Sequence, residues 1–270
     1  MLTDLMDDLA DEVAKDLDSA VEVIEIDILD PTVLVSSIPR WHATDDVVSV
    51  FCDLKNSTRL GLGRHAKSSA KTYEAAMGGA VHALATFEPE YMDIQGDGAY
   101  ALFSGDLRYE RALCAAVTVR TWSEKVLVPS FEDKFGERFP ATGFKIGIAS
   151  SRLLGKRVGV RGTNEPVWAG KAVNYSAKLA QEADRHEVLA TATVFDHFEG
   201  NDYVRFSCGC GSGGPDSPQR LWTTSVSSKL PAGENTVYML TSPWCDTHGN
   251  DFCEAIREGE TDRELPAWVA

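Results

Sequence analysis

The period of apolar and polar positions changes along the chain, and each change predicts an element. Over residues 1–27, Leu2, Leu5, Met6, Leu9, Val13, Leu17 and Val21 recur at helical spacing between aspartates and glutamates. This predicts an amphipathic acidic helix whose stripe must bury against the body or against a second copy. Residues 28–44 carry Pro31 and Pro39 and little periodicity, and read as a connector. The run from Val47 to Leu54 is apolar until Asp53, as in a buried strand that delivers an acid to its C-terminal edge. A polar turn at Lys55–Thr58 precedes a predicted helix over 66–87, with Tyr73, Met77, Val81 and Leu84 inward and Pro89 beyond its end. Two strand-like runs between Tyr91 and Phe103 flank Gly96-Asp97-Gly98, a hairpin signal that leaves the Asp97 carboxylate free at the tip.

Further on, residues 107–126 predict a helix with Leu113, Ala116 and Val117 inward, and 127–140 a polar loop holding two prolines. Phe144, Ile146 and Ile148 alternate with Lys145 and Gly147, a period-two strand, and the Gly-interrupted stretch from Leu153 to Val160 predicts a second hairpin. A helix opens at Val173 after the Gly170 turn, with Asn174 and Lys178 four apart on one face, where a polar pair is usually plain solvated surface. A short strand over 186–191, a short helix over 192–199, an exposed loop over 207–219 and a last strand over 236–240 follow. The tail from Ser242 is irregular, with one helical turn around Glu254–Arg257. Helices alternating with hairpins suit an antiparallel sheet covered on one face, an α+β layer arrangement.

Composition narrows the function classes. The 270 residues carry 41 acids against 26 lysines and arginines, a net charge of -15. That balance argues against general binding of nucleic acid or anionic membrane, which needs clustered cations. No apolar run approaches a membrane span, and the acidic first residues do not form a secretory or organelle-targeting signal, so a cytoplasmic location is expected. Cys52 and Cys114 lie in apolar segments as core thiols. Cys208, Cys210, Cys245, His248 and Cys253 suit zinc in type, but Cys-x-Cys is not among the strong finger spacings, and reduced thiols are the weightier alternative.

The chemistry rests on two carboxylates. Alone, Asp53 reads as a cap and Asp97 as a turn residue. Together, at the ends of adjacent apolar segments, they are what holds Mg²⁺ or Mn²⁺ against a triphosphate.

Four segments in order resemble the class III nucleotidyl cyclases, the adenylyl and guanylyl cyclase family. Val50-Phe-Cys-Asp53-Leu54 is similar to the family's first metal motif and Gly96-Asp97-Gly98-Ala-Tyr-Ala-Leu-Phe103 to its second. Phe144-Lys-Ile-Gly-Ile-Ala149 with the Gly155–Gly162 stretch resembles the central strand and hairpin, and Ala169 to Leu179 the ribose and phosphate helix. The resemblance covers about residues 45–200. It implies a ferredoxin-like antiparallel sheet covered by helices and a head-to-tail homodimer with active sites across the interface. It further implies two Mn²⁺ or Mg²⁺ ions per site on Asp53, Asp97 and the Leu54 carbonyl. On this likeness Asn174 of the other protomer orients the ribose, Lys178 meets the transferring phosphoryl and Lys229 the triphosphate. The division becomes 1–44 helix and connector, 45–241 catalytic domain and 242–270 tail.

Three departures stand out. Lys178 replaces the family's arginine, keeping the charge but losing the planar two-pronged donor. Lys229 is one residue out of register. The base-selecting positions carry neither purine pair: Asp93 stands four residues before Asp97, and the second position falls near Val167, beside Trp168, with Phe51 a further candidate. The chain therefore resembles the pyrimidine cyclases of the bacterial anti-phage Pycsar systems more than adenylyl cyclases, with UTP expected first and CTP second. There the cyclic nucleotide reaches a separate effector. The alternatives are a purine cyclase of the same family, an inactive nucleotide-binding signalling module, and a palm-type polymerase or dinucleotide cyclase, against which the Asn174 helix and the acidic surface argue.

Overall fold

A computed structural model of the chain describes residues 1–60, 65–136, 139–159, 163–212, 214 and 217–266. Its elements run α1 (Leu2–Asp18), β1 (Glu22–Glu25), β2 (Arg40–Leu54), α2 (Ser57–Leu60), α3 (Ala66–Ala85), β3 (Tyr91–Gln95), β4 (Gly98–Phe103), α4 (Arg108–Trp122), α5 (Val128–Phe135), β5 (Phe144–Val158), β6 (Glu165–Ala169), α6 (Lys171–Glu182), β7 (Val188–Thr191), α7 (Ala192–His197), α8 (Asp202–Arg205), β8 (Trp222–Val226), β9 (Thr236–Leu240) and α9 (Gly249–Arg257). The sheet order is β3-β4-β2-β5-β7-β9-β8, with β1 added to β2 and β6 to β5. Pairing is antiparallel except for β1 on β2 and β7 on β5.

β2 sets the layers, because its alternation sends two sets of side chains to opposite faces. Val48, Val50, Cys52 and Leu54 enter the main core with Met77 and Leu84 of α3, Leu113 and Val117 of α4, and Ile256 of α9. Val47 and Phe51 turn to the other face, where Tyr100, Leu102, Leu153 and Trp168 form a smaller cluster. α6 lies on that second face: the Ser49 and Ser176 hydroxyls hydrogen-bond at 2.8 Å, and a Cβ on Gly147 would run into the Ser176 carbonyl and the Ala180 amide. The sheet is thus α+β as expected, but helices cover both faces rather than one.

Other expectations need correction. The predicted helix over 1–27 ends at Asp18, and residues 22–25 form β1 beside the start of β2. The predicted connector therefore contains strand, and β2 begins at Arg40. The α1 stripe does not bury against the body: Leu2 is 71%, Val13 58% and Leu17 81% exposed. The predicted loop over 127–140 is largely α5, with Phe131 in the core. A π-turn over Ser123–Leu127 carries α4 into it and places Pro129 in the first turn of α5, where the missing N–H costs least. α8 and β8 were not expected; β8 is a mostly exposed edge strand with little apolar pattern. The tail holds nine helical residues, not one turn. The second hairpin forms from β5 and β6, although Val160 and Gly162 lie outside the described residues.

Candidate active site

Asp53 sits one residue from the end of β2, in register with Gly98 of β4 and Lys145 of β5. The next residue, Leu54, donates its backbone N–H to the Asp97 carbonyl at 3.2 Å. The two aspartates therefore share one end of the sheet, as the sequence predicts. The turn between β3 and β4 is Gly96-Asp97, with Gly96 at φ +66°, the left-handed conformation a two-residue hairpin loop requires. Gly98 is fixed by crowding: a Cβ there would lie 2.9 Å from Phe51 Cε1 and 3.0 Å from the Cys52 carbonyl.

Sequence reasoning missed Lys145. Its ammonium pairs with Asp53 Oδ2, and the two side chains are only 14% and 21% exposed. Its signal was a charge in the alternation of a buried strand, but only the β2–β5 register shows which acid it meets. Asp53 keeps its other oxygen for a further cation. Two carboxylates and the Leu54 carbonyl are hard oxygen donors, so the donor set fits Mg²⁺ or Mn²⁺.

Beside this end lies an aromatic floor. Phe51 stacks on Tyr100 with ring centroids 6.1 Å apart, Tyr91 tilts against Tyr100 at 5.9 Å, and Trp168 meets Tyr91 edge-on at 5.2 Å. The register Phe51↔Tyr100↔Asp93 puts Asp93 in the same row. Asp93 is exposed, and one of its oxygens accepts the Ile94 N–H at 2.8 Å, leaving the other for a ligand. Burial raises the Tyr91 hydroxyl above its usual range and the Asp93 charge adds to it; burial raises Tyr100 further, with Tyr91 and Asp93 adding to it. Both therefore stay protonated near neutral pH. These two tyrosines were also missed, since as apolar strand positions they look like core. Val167 is 41% exposed, whereas its neighbour Trp168 joins the floor.

The remaining predicted residues lie on α6 and on the β8–β9 turn beside it. Asn174 is exposed and donates to the Gly170 carbonyl at 3.1 Å. Lys178, one turn on, lies over the Tyr175 ring at 5.6 Å. Lys229, in the β8–β9 turn, reaches Gln181 Oε1 at 3.1 Å. That turn is strapped to α6 at both ends. Glu182 accepts the Ser228 N–H at 2.7 Å and the Ser227 hydroxyl, while Glu234 accepts Lys171 at 2.7 Å and Tyr175 at 2.9 Å. Burial pushes the Glu182 carboxyl up, but its hydrogen bonds from Ser227 and Ser228 outweigh this and hold it below the usual range. Among the described residues no hydrogen bond or ion pair joins the α6 set to Asp53 or Asp97. A cleft of about 650 Å³ between α4, α9 and the β8–β9 ends is lined by none of the residues predicted for the nucleotide, but by Cys208, Cys210 and Cys245.

The chain is 47% identical over 264 residues to a uridylate cyclase of Micromonospora echinofusca, covering 96% of this chain and 85% of the relative. It is 43% identical to a uridylate cyclase of Propioniciclava tarda, covering 99% and 88%. The chain belongs to the uridylate cyclase family. Its fold is that of the class III cyclases: the adenylyl cyclase CyaB from P. aeruginosa superposes with a TM-score of 0.59 at 12% identity, over 75% of this chain and 96% of that one. No protein-family model matches the chain.

Proposed function

We propose that this protein converts UTP to 3′,5′-cyclic UMP and pyrophosphate at a site completed by a second copy of the chain. The observation that carries this reading is the joining of Asp53 and Asp97 at one sheet end beside a floor that presents Asp93. When bound there by Asp53, Asp97 and the Leu54 carbonyl, two Mn²⁺ or Mg²⁺ ions would supply charge neutralisation of the triphosphate and a lowered pKa of the ribose 3′-hydroxyl. Lys145 holds Asp53 in place. Asn174 of the second copy hydrogen-bonds the ribose, Lys178 meets the charge on the α-phosphoryl group and Lys229 the outer phosphates. The 3′-hydroxyl gives its proton to water, the 3′-oxygen bonds to the α-phosphorus as the bond from that phosphorus to the α–β bridging oxygen breaks, and pyrophosphate leaves.

The base is selected by what an ionised carboxylate accepts. Uracil offers N3–H to the free oxygen of Asp93 and lies over Tyr91, Tyr100 and Phe51. Cytosine offers only its exocyclic amine, and ranks second. Adenine presents an acceptor at N1, which a carboxylate cannot pair with. The separation of the Asp53–Asp97 set from the α6 set within one chain supports the dimer, because each set needs the other to complete a site. By family likeness the product is a messenger in anti-phage defence that reaches an effector in the cytoplasm. No helix among the described residues is long and apolar enough to cross a membrane.

Incubation with equimolar ATP, GTP, CTP and UTP and Mn²⁺, followed by separation of products, tests the proposal. It expects cyclic UMP as the main product, cyclic CMP as the minor one, and pyrophosphate in equal amount. A preference for ATP or GTP would overturn the pyrimidine reading.

A further inference from the structure

Four metal-binding side chains outside the active site converge at one point. The ligand atoms of Cys208, Cys210, Cys245 and His248 all lie within 4.8 Å of one another, and Cys210 Sγ is 3.2 Å from His248 Nδ1. The spacing along the chain hides this, but the topology produces it. β8 and β9 are antiparallel with Trp222 opposite Leu240, so the segment entering β8 and the segment leaving β9 emerge side by side. The first is pinned by a bridge between Phe206 and Arg220 and by Ser207 N–H to the Gln219 carbonyl at 2.8 Å. Gly209, at φ +83°, then turns the chain between Cys208 and Cys210. The second forms a tight loop: Thr247 donates its N–H to Cys245 Sγ at 3.4 Å, and Gly249 to the Cys245 carbonyl at 2.8 Å. Gly249 is needed there, since a Cβ would lie 2.8 Å from that of Trp244.

We propose that Cys208, Cys210, Cys245 and His248 form a structural zinc site that ties the segment over 207–212 to the N-terminal end of α9. A tetrahedral zinc with sulfur at about 2.3 Å sets its ligand atoms about 3.8 Å apart, which this cluster accommodates with small side-chain shifts. Three thiolates and an imidazole are a closed donor set, typical of structural zinc and soft enough to exclude the hard ions expected at Asp53 and Asp97. Backbone N–H groups aimed at a cysteine sulfur stabilise it as a thiolate. Cys253 stands apart: its carbonyl accepts from Cys114 Sγ at 3.7 Å, within the core. The consequence is mechanical. α9 buries Ile256 against α4, and the zinc fastens both that helix and the entry to β8.

The site is tested by metal analysis of protein produced with zinc and dialysed into Mg²⁺ buffer. Wild type retains about one zinc per chain, Asp97→Ala retains the same, and Cys210→Ser and His248→Ala lose it. Cobalt added to chelator-stripped wild type gives the thiolate-to-metal charge-transfer band and intense visible bands of tetrahedral coordination. Where a variant fails to fold, the wild-type cobalt spectrum decides. Wild type without zinc and without those bands, unchanged zinc in Cys210→Ser, or a disulfide among the three cysteines in freshly purified protein would each overturn the proposal.

Discussion

Asp53 and Asp97 look equivalent in the sequence, and their surroundings separate them. Asp53 is paired with a mostly buried lysine; Asp97 stands in a turn. Replacing either removes a carboxylate proposed to hold metal and is expected to abolish cyclisation. Asp53→Ala also strands the Lys145 ammonium, at a cost of about 1–3 kcal/mol, while Asp97→Ala unfolds in urea like wild type. Adding Lys145→Met to Asp53→Ala recovers stability without recovering activity; equal stability of the two single variants would show that the ion pair does not matter. Asp53 was legible because an apolar run stops at it, and Asp97 because the glycines on either side of it mark a hairpin turn. Lys145, Tyr91 and Tyr100 were not, because their meaning depends on which strand lies next to which. Asp93 was legible only against the family pattern. Its loss in Asp93→Ala is expected to cut UTP turnover about tenfold, the rate equivalent of one hydrogen bond of about 1.4 kcal/mol. Asp93→Lys, which donates, is expected to begin accepting ATP in the four-nucleotide competition. An unchanged product ratio in both variants would remove Asp93 from base recognition.

Among the elements, α6 depends most on one residue of another strand. Gly147 of β5 lets the helix backbone approach the sheet, and the atoms a Cβ would strike are backbone atoms that cannot rotate away. Gly147→Ala is expected to lift α6, costing about 1–3 kcal/mol as overpacking does, and to displace Asn174 and Lys178. Turnover then falls while Mn²⁺ binding at Asp53 and Asp97, followed by electron paramagnetic resonance, persists. Loss of both together would mean that the whole sheet had shifted. The long periodic elements, α3, the β3–β4 hairpin and α6, could be read directly from period and turn chemistry. α5 could not, because Pro129 marks a loop unless the π-turn before it is known. β8 could not, because an exposed edge strand of threonine and serine has no apolar alternation to detect. β1 was hidden behind the helical stripe that precedes it.

On the proposed reading, the whole molecule carries one half of each site at the sheet end with Asp53 and Asp97 and the other on α6 with Asn174 and Lys178, and α1 presents an uncovered apolar stripe. The proposed twofold dimer would make two equivalent sites, each drawing Asp53 and Asp97 from one copy and Asn174 and Lys178 from the other. With a net charge of -15, triphosphate binding on the proposed reading is arranged locally, by metal and by Lys178 and Lys229, rather than by the overall field. The most direct test mixes two inactive proteins, Asp97→Ala and Asn174→Ala, allows subunits to exchange, and measures cyclic UMP formed from UTP. Half of the dimers are then mixed and each mixed dimer has one intact site, so activity is expected to return to about a quarter of wild type. No cyclic UMP after verified exchange would contradict a site shared between two copies.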